Sequence, residues 1–525
     1  YAWMATALLA TQPLLFGHAF INQKDTPFMA FFLVSVAVGL EAADRVSQAI
    51  RRAGSASLPE SRWTRLRGEW AGTSRSRRVV GIAYLIGSLL WLISLAAVDS
   101  RQPSMIRLMQ AIGEGLAWER LQSAATSLAR GASSLPTDTS LGTAVWLHDF
   151  GRMILLIGWI ALAPVVVRWV LPKAFHEAKA SFGWSLGWAV LAGALLGFTV
   201  SIRQIGVFAG LLVSLYWLRR LHAAGLWVLV IYLLAGAVVT LATWPYLWAA
   251  PLQRFWESLA LGADFEIHMT PYRGQWVFSD RIPWHYFPTL ASLELTIPAV
   301  ALFISGIAIA GWRWTHQTID RTVLGIVLLW LAAPLFGLIV LGMGAYNNIR
   351  QLHFALAPIF LIAGVGLSGL LMRVNRRWVE YLLLAALLLP GVSGIVGAHP
   401  YEYTYFNALT GGTEGAQGNY ALDYWCTSYR EAMGFVNAVA EPGAKVMVMG
   451  PLRPAMAFAR NDLEVLRNEG DRSVAGVDYL LTCSRWLAVE WGEDARLERV
   501  HTVGRGPAVF AEVFRRIKGD PAVDD

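Results

Sequence analysis

The sequence predicts an α-helical polytopic membrane protein, with about eleven transmembrane helices followed by a small C-terminal extracytoplasmic α/β domain. Three observations carry that prediction. Hydrophobic residues make up 56% of the 525 and charged residues only 15%. A soluble domain has roughly 25% charged residues, so this chain lacks the polar surface to dissolve as a globule. Apolar runs of about 18 residues or more, each enough to cross ~30 Å of hydrocarbon, recur along it. After His399 the runs stop and the composition turns to that of a soluble domain.

The spans fall near residues 3–21, 27–42, 79–98, 151–171, 184–202, 204–218, 225–248, 295–312, 322–343, 353–372 and 379–398. Many of the 24 Trp residues lie near the ends of these runs, where indole rings settle at a bilayer interface. The chain opens at Tyr1 directly into an apolar run, with no charged leader and no small-residue cleavage site. That run is therefore read as a span and not a signal peptide, and the natural N-terminus is expected upstream.

Arginine sets the orientation. Loop 43–78 carries Arg45, Arg51, Arg52, Arg62, Arg65, Arg67, Arg75, Arg77 and Arg78. The same side holds Arg168, Lys173 and Lys179, then Arg219 and Arg220, Arg313 and Arg321, and Arg373, Arg376 and Arg377. The opposite long loops are mixed, with four Arg against five acids in 99–150 and three against five in 249–294. The Arg-rich side is cytoplasmic by the positive-inside rule. Residues 22–26, 99–150, 203, 249–294, 343–352 and 399–525 then face outward. The chain is expected to be a multi-pass protein of the inner (cytoplasmic) membrane. Its net charge of +7 reflects membrane topology, and no nucleic-acid partner is expected.

Two outer loops have texture. Residues 104–130 place apolar side chains at helical spacing with charges opposite, as in a helix lying on the membrane surface. Residues 249–294 are rich in aromatics and Pro and are expected to cover helix ends. Beyond His399, SYREAMGFVNAVA reads as a helix, EPGA as a turn, and KVMVMG, VDYLLTC and AVFAEVF as strands. Both cysteines, Cys426 and Cys483, lie here. An outer compartment permits a disulfide between them, and two separate buried thiols fit the sequence as well.

Polar groups collect at the outer helix ends. GHAFINQKDTPF places His18, Asn22, Lys24 and Asp25 between two spans. Asp25 lies just before a helix whose first turn holds Pro27, so it can cap that helix, as can Thr26, or carry chemistry. Arg203 sits in a turn so tight that its two spans form a hairpin. Being outside against the charge bias, it either pairs with an acid or binds an anion. NNIRQLH brings Arg350 and His353 to another helix start, which suits a phosphate or a headgroup anchor. In GADFEIHMTPYRG, Asp264, Glu266 and His268 alternate, as a metal or general-base loop would, or as a solvated loop does. Their shared position at one membrane face is what makes them a site.

Several of these segments resemble a known family. NQKDTPFMAFF is similar to the second outer acidic motif of membrane glycosyltransferases of the C-type fold. The nearest branch is the bacterial relatives of protein O-mannosyltransferases and of the lipid A aminoarabinose transferase. ATWPYLW, PLQRFWES, IPWHYFP, NNIRQLHFALAPIF, HPYEYTYFNALTGG and LDYWCTSYREA follow in the same order, and the likeness is weakest over 43–150. It implies a glycosyltransferase-C-like region at 1–398 and an extracytoplasmic domain at 399–525. It also implies a hexosyl or pentosyl transferase that takes its sugar from a polyprenyl-phosphate donor to a protein, lipid or glycan acceptor. Asp25 matches the family's second acid, which assists acceptor or metal binding. The leading acid, acting as base, would lie upstream of Tyr1. Lys24, Arg203, Arg350 and His353 would hold the donor phosphate. A divalent metal ion is compatible, and no other cofactor is implied. The competing expectation is a non-catalytic scaffold that keeps the fold and binds other membrane subunits. A transporter is disfavoured, because no internal repeat is evident and the spans lack midplane charges.

Overall fold

The computed structural model describes residues 2–54, 72–84, 166, 169–170, 172–221, 226–263, 267–340, 344–374, 376–468, 476–483 and 497–517. Most of the expected spans at 151–171 and 79–98, the surface helix at 104–130, Asp264 and Glu266 lie outside these residues. In chain order the helices are α1 (Ala2–Ala10), α2 (Pro13–Ile21), α3 (Asp25–Gly54), α4 (Pro172–Ile202), α5 (Val207–Leu221), α6 (Leu226–Thr243) and α7 (Pro251–Ala263). There follow β1 (Met269–Tyr272), β2 (Gln275–Phe278), α8 (Tyr286–Glu294), α9 (Ile297–Thr315), α10 (Arg321–Val340), α11 (Ala357–Leu371) and α12 (Arg377–Ala398). The chain forms two compact units, one of residues Tyr1–Met29 with Phe265–Asp525 and one of Ala30–Asp264.

Among the described residues four helices are long and apolar enough to cross a membrane: Asp25–Ile50, Ile297–Thr315, Arg321–Val340 and Arg377–Ala398. The protein is mostly helical with a small C-terminal sheet region, as a membrane protein of this composition should be. Two expectations are corrected. The first span is not one straight helix, since α1 and α2 meet at a 65° bend. Pro13 has no N–H to continue the ladder and disfavours helical geometry in the residue before it. The Gln12 side chain compensates. Its nitrogen donates to Leu8 O at 2.7 Å and its oxygen accepts the Thr296 N–H at 3.0 Å, all buried. The second helix is also much longer than 27–42. It runs on through Gly54, because residues past 42 are good helix formers and Arg45 pairs with Glu41 one turn back at 2.6 Å.

In the Ala30–Asp264 unit the 201–206 turn closes the expected hairpin between α4 and α5. A three-residue 3-10 segment, Gln204–Gly206, joins them. A side chain at Gly206 would meet the Thr199 backbone at 2.8 Å, so the tight crossing needs glycine. α3 and α5 are tied by Trp217 Nε1 donating to Gly39 O at 2.8 Å and Tyr216 Oη donating to Asp44 Oδ1 at 2.9 Å.

In the other unit α9 packs on α11 at backbone contact. A side chain at Gly306 would run into the Ile362 carbonyl, and one at Gly366 into that of Leu302. Such close approach maximises van der Waals contact where lipid offers no hydrophobic drive. Trp312, Trp314 and Trp378 are exposed at the ends of α9 and α12, beside the Arg-rich segments, as interface anchors are. The C-terminal sheet runs in the order β4-β3-β5-β7-β6, with β3 (Lys445–Val448), β4 (Glu464–Arg467), β5 (Tyr479–Cys483), β6 (Leu497–Arg505) and β7 (Ala508–Arg516). β3 is parallel to β4 and β5, and β7 is antiparallel to β5 and β6. The amphipathic α13 (Tyr429–Val439) covers it with Tyr429, Ala432, Met433 and Val436 buried. Arg505 on β6 pairs with Glu431 at 2.7 Å and donates to His399 O at 2.8 Å, fastening the sheet to the end of α12.

Candidate functional site

The site lies within the unit formed by Tyr1–Met29 and Phe265–Asp525, and it starts from the turn between α2 and α3. Asn22 ends α2, its N–H still bonding His18 O at 2.9 Å. Its side-chain oxygen accepts the N–H groups of Lys24 at 3.2 Å and Asp25 at 2.8 Å. Asn22 thus takes the orphan amides that open α3, and Asp25 is the first residue of that helix. The Asp25 carboxylate accepts from Asn22 Nδ2 at 2.9 Å and faces Arg350 Nε at 3.7 Å. Lys24 is exposed.

Arg350 arrives from the second stretch of this unit, Phe265–Asp525, on a strained turn. Asn347 and Asn348 are both left-handed, at φ 56 and 58, a conformation asparagine tolerates better than most residues. The Asn348 amide nitrogen donates to Glu294 Oε1 at 2.5 Å and Ala421 O at 2.7 Å. Glu294 closes α8, wholly buried. Burial raises its carboxyl to about 8, against the pull of its contacts with Asn348 and the Ile349 amide. Arg350 then opens a 3-10 segment, Arg350–Ala355, ahead of α11, so it does not sit on the helix end itself. His353 on the same segment is 1% exposed and packs edge-on to His18 at 4.4 Å.

Three aromatic rings surround the guanidinium, with its carbon 5.1 Å from the Tyr346 centroid, 5.8 Å from Tyr424 and 5.0 Å from Trp425. Such packing favours the cation. Tyr424 Oη lies 2.8 Å from His18 Nε2. Behind it Asp423 is fully buried and collects the N–H groups of Thr427 at 2.8 Å and Ser428 at 3.0 Å, with the hydroxyls of Ser428 and Tyr403. Burial raises its carboxyl, and these donors lower it. Cys426 and Cys483 form a disulfide with Cα atoms 5.5 Å apart, which ties the segment carrying Tyr424 and Trp425 to β5.

Of the residues picked from sequence, the structure brings together Asp25, Arg350 and His353, with His18 and Asn22. His268 stands one layer out, its ring 4.4 Å from Tyr346. Arg203 belongs to the other unit, half-buried at the head of its turn. Sequence reasoning missed Glu294, Asn348, Tyr346, Tyr403, Tyr424 and Trp425. For Tyr403, Tyr424 and Trp425 the only signal was the aromatic density of HPYEYTYFNALTGG and LDYWCTSYREA, which carries no periodicity.

The arrangement is a ring-walled guanidinium with few hydrogen-bond acceptors, set beside a carboxylate. Arg350 exposes 11% of its side chain and Asp25 10%. Nε is buried with no hydrogen bond, and among the described residues no acceptor takes a hydrogen bond from the rest of the guanidinium. Five fixed N–H donors held by rings and one loose ion pair suit a phosphate oxygen. Among the described residues no group of three His, Cys, Asp or Glu side chains could hold a metal ion. No family model matches the chain, and no curated protein matches it significantly.

Proposed function

We propose that this protein is a multi-spanning membrane glycosyltransferase that moves a sugar from a polyprenyl-phosphate donor to a hydroxyl of a protein, lipid or glycan acceptor at the outer face. The observation that carries this reading is the ring-walled guanidinium of Arg350, short of acceptors and set beside Asp25. The C-type likeness of the segments that build the site supports it. In the reaction the acceptor oxygen bonds to the anomeric carbon as the bond from that carbon to the phosphate oxygen breaks. The electron pair leaves on the phosphate, where Arg350 stabilises the growing charge. The acceptor hydroxyl proton passes to a carboxylate and then to water. Asp25, released from Arg350 as the phosphate arrives, receives the acceptor hydroxyl.

The test uses full-length protein in detergent, a polyprenyl-phosphate sugar and a hydroxyl acceptor. Arg350→Gln should raise the apparent KM for the donor by roughly tenfold or more, the loss of a charged hydrogen-bonding partner. An unchanged KM would remove the phosphate role. One observation favours the alternative, a non-catalytic scaffold: Asp25 and Arg350 are nearly buried against each other, as an internal strut is. No transfer by the wild type across hexosyl and pentosyl donors, with fixed-ratio co-purification of other membrane subunits, would favour that reading.

We read the remaining apolar runs as spans too, about eleven in all, with the sheet region outside. Single cysteines at Thr318 and Asn461 test the side. An impermeant thiol reagent on intact cells should label Asn461→Cys and spare Thr318→Cys. The reverse pattern would put the site on the cytoplasmic face and exclude a lipid-linked donor presented from outside.

A further inference from the structure

Four side chains of the site form a hydrogen-bonded line whose direction can be read from its first member. The Asn22 amide accepts two backbone N–H groups, from Lys24 and Asp25. Only its oxygen can do so, which fixes the orientation of the amide. Its nitrogen therefore donates both protons, one to Asp25 Oδ2 at 2.9 Å and one toward His18 Nδ1 at 3.3 Å. A proton on Nδ1 would meet that N–H head on, so Nδ1 is the bare nitrogen and Nε2 carries the ring proton. Nε2 is 2.8 Å from Tyr424 Oη. With the imidazole donating, the phenol must accept. Its own proton points away from His18, and among the described residues the hydroxyl has no second hydrogen bond.

We infer that Tyr424 is a second anion-binding group of this site, its hydroxyl donating to an oxygen of the same phosphate that Arg350 pairs with, while His18 holds it in the donor role. This rests on the oxyanion reading proposed above. The geometry supports it, since the Tyr424 ring flanks the guanidinium at 5.8 Å and its hydroxyl is fixed by a residue that is itself 0% exposed. Burial holds the hydroxyl well above the ordinary phenol range, so it remains a neutral donor. A neutral donor adds grip and direction beside the Arg350 cation that Asp25 already counters, without adding a like charge that would repel it.

The test is binding of a polyprenyl monophosphate to full-length protein in detergent, read by tryptophan fluorescence, with the polyprenol of the same length as control. Wild type should bind the phosphate well above the alcohol. Tyr424→Phe keeps the ring beside Arg350 and should weaken phosphate binding by about tenfold or more, as for a lost hydrogen bond to a charged group, with the alcohol unchanged. A purely structural Tyr424 would lower stability and leave the phosphate-to-alcohol ratio as in wild type, which overturns this inference alone. Equal binding of phosphate and alcohol by the wild type overturns the oxyanion reading and this inference with it. If Tyr424→Phe does not fold, the His18 tautomer decides. Nitrogen-15 histidine spectra of the wild type, with His18→Gln assigning the signal, should show the proton on Nε2, and a proton on Nδ1 overturns the inference.

Discussion

Asp25→Asn should lower sugar transfer by about a hundredfold or more, the range for a group that acts in the transition state. Asparagine matches aspartate in size and caps helices about as well, and the α3 amides are in any case held by Asn22. What the change removes is charge. It also leaves Arg350 without a counter-ion in a nearly buried place, which costs roughly 3 kcal/mol or more when a buried pair is broken. Stability and catalysis must therefore be separated. In Asp25→Asn combined with Arg350→Gln the unpaired charge is gone, so the unfolding midpoint should recover toward wild type. Transfer should stay lost. Recovery of transfer together with stability would make the pair a strut and nothing more.

Glu294→Gln should raise stability at neutral and alkaline pH while changing little near pH 4. Burial holds the carboxyl at about 8 in the folded protein, against an ordinary value of 4.5. Across that window the folded state holds a proton that the unfolded state has released, so stability falls as pH rises, at up to about 1.4 kcal/mol per unit. The loss begins near the unfolded value and levels off above the folded one, a total on the order of several kcal/mol. Glutamine keeps an oxygen for Asn348 and cannot ionise. The difference in unfolding midpoint between variant and wild type, followed from pH 4 to pH 9, should therefore grow and then flatten. Parallel curves would show that Glu294 does not titrate in this window.

How much of this was readable beforehand follows from the distance over which each interaction acts. The helices Ile297–Thr315, Arg321–Val340 and Arg377–Ala398 were legible because a span is a property of its own contiguous residues. Asp25 and Arg350 were legible as candidates because charges at helix ends are conspicuous against an apolar background. Their pairing was not, nor was the bend at Gln12, whose side chain finds Thr296 at a separation of 284 residues. Tyr424 was illegible for the same reason. It sits in an aromatic stretch with no period, and what gives it meaning is His18, 406 positions away. Glu294 looked like the edge of a span, and only the left-handed Asn348 turn above it shows what it holds.

That 406-residue separation has a consequence for how the molecule is made. The chain leaves the ribosome from its N-terminus, so His18, Asn22 and Asp25 emerge long before the segment that completes their surroundings. Contacts this remote in sequence form late. The Tyr424 segment is in turn braced by a disulfide to Cys483, a residue later still. A nascent or truncated chain could place every span and still hold an open, incomplete polar cluster. Completion of the site therefore waits on completion of synthesis and on closure of the Cys426–Cys483 bond.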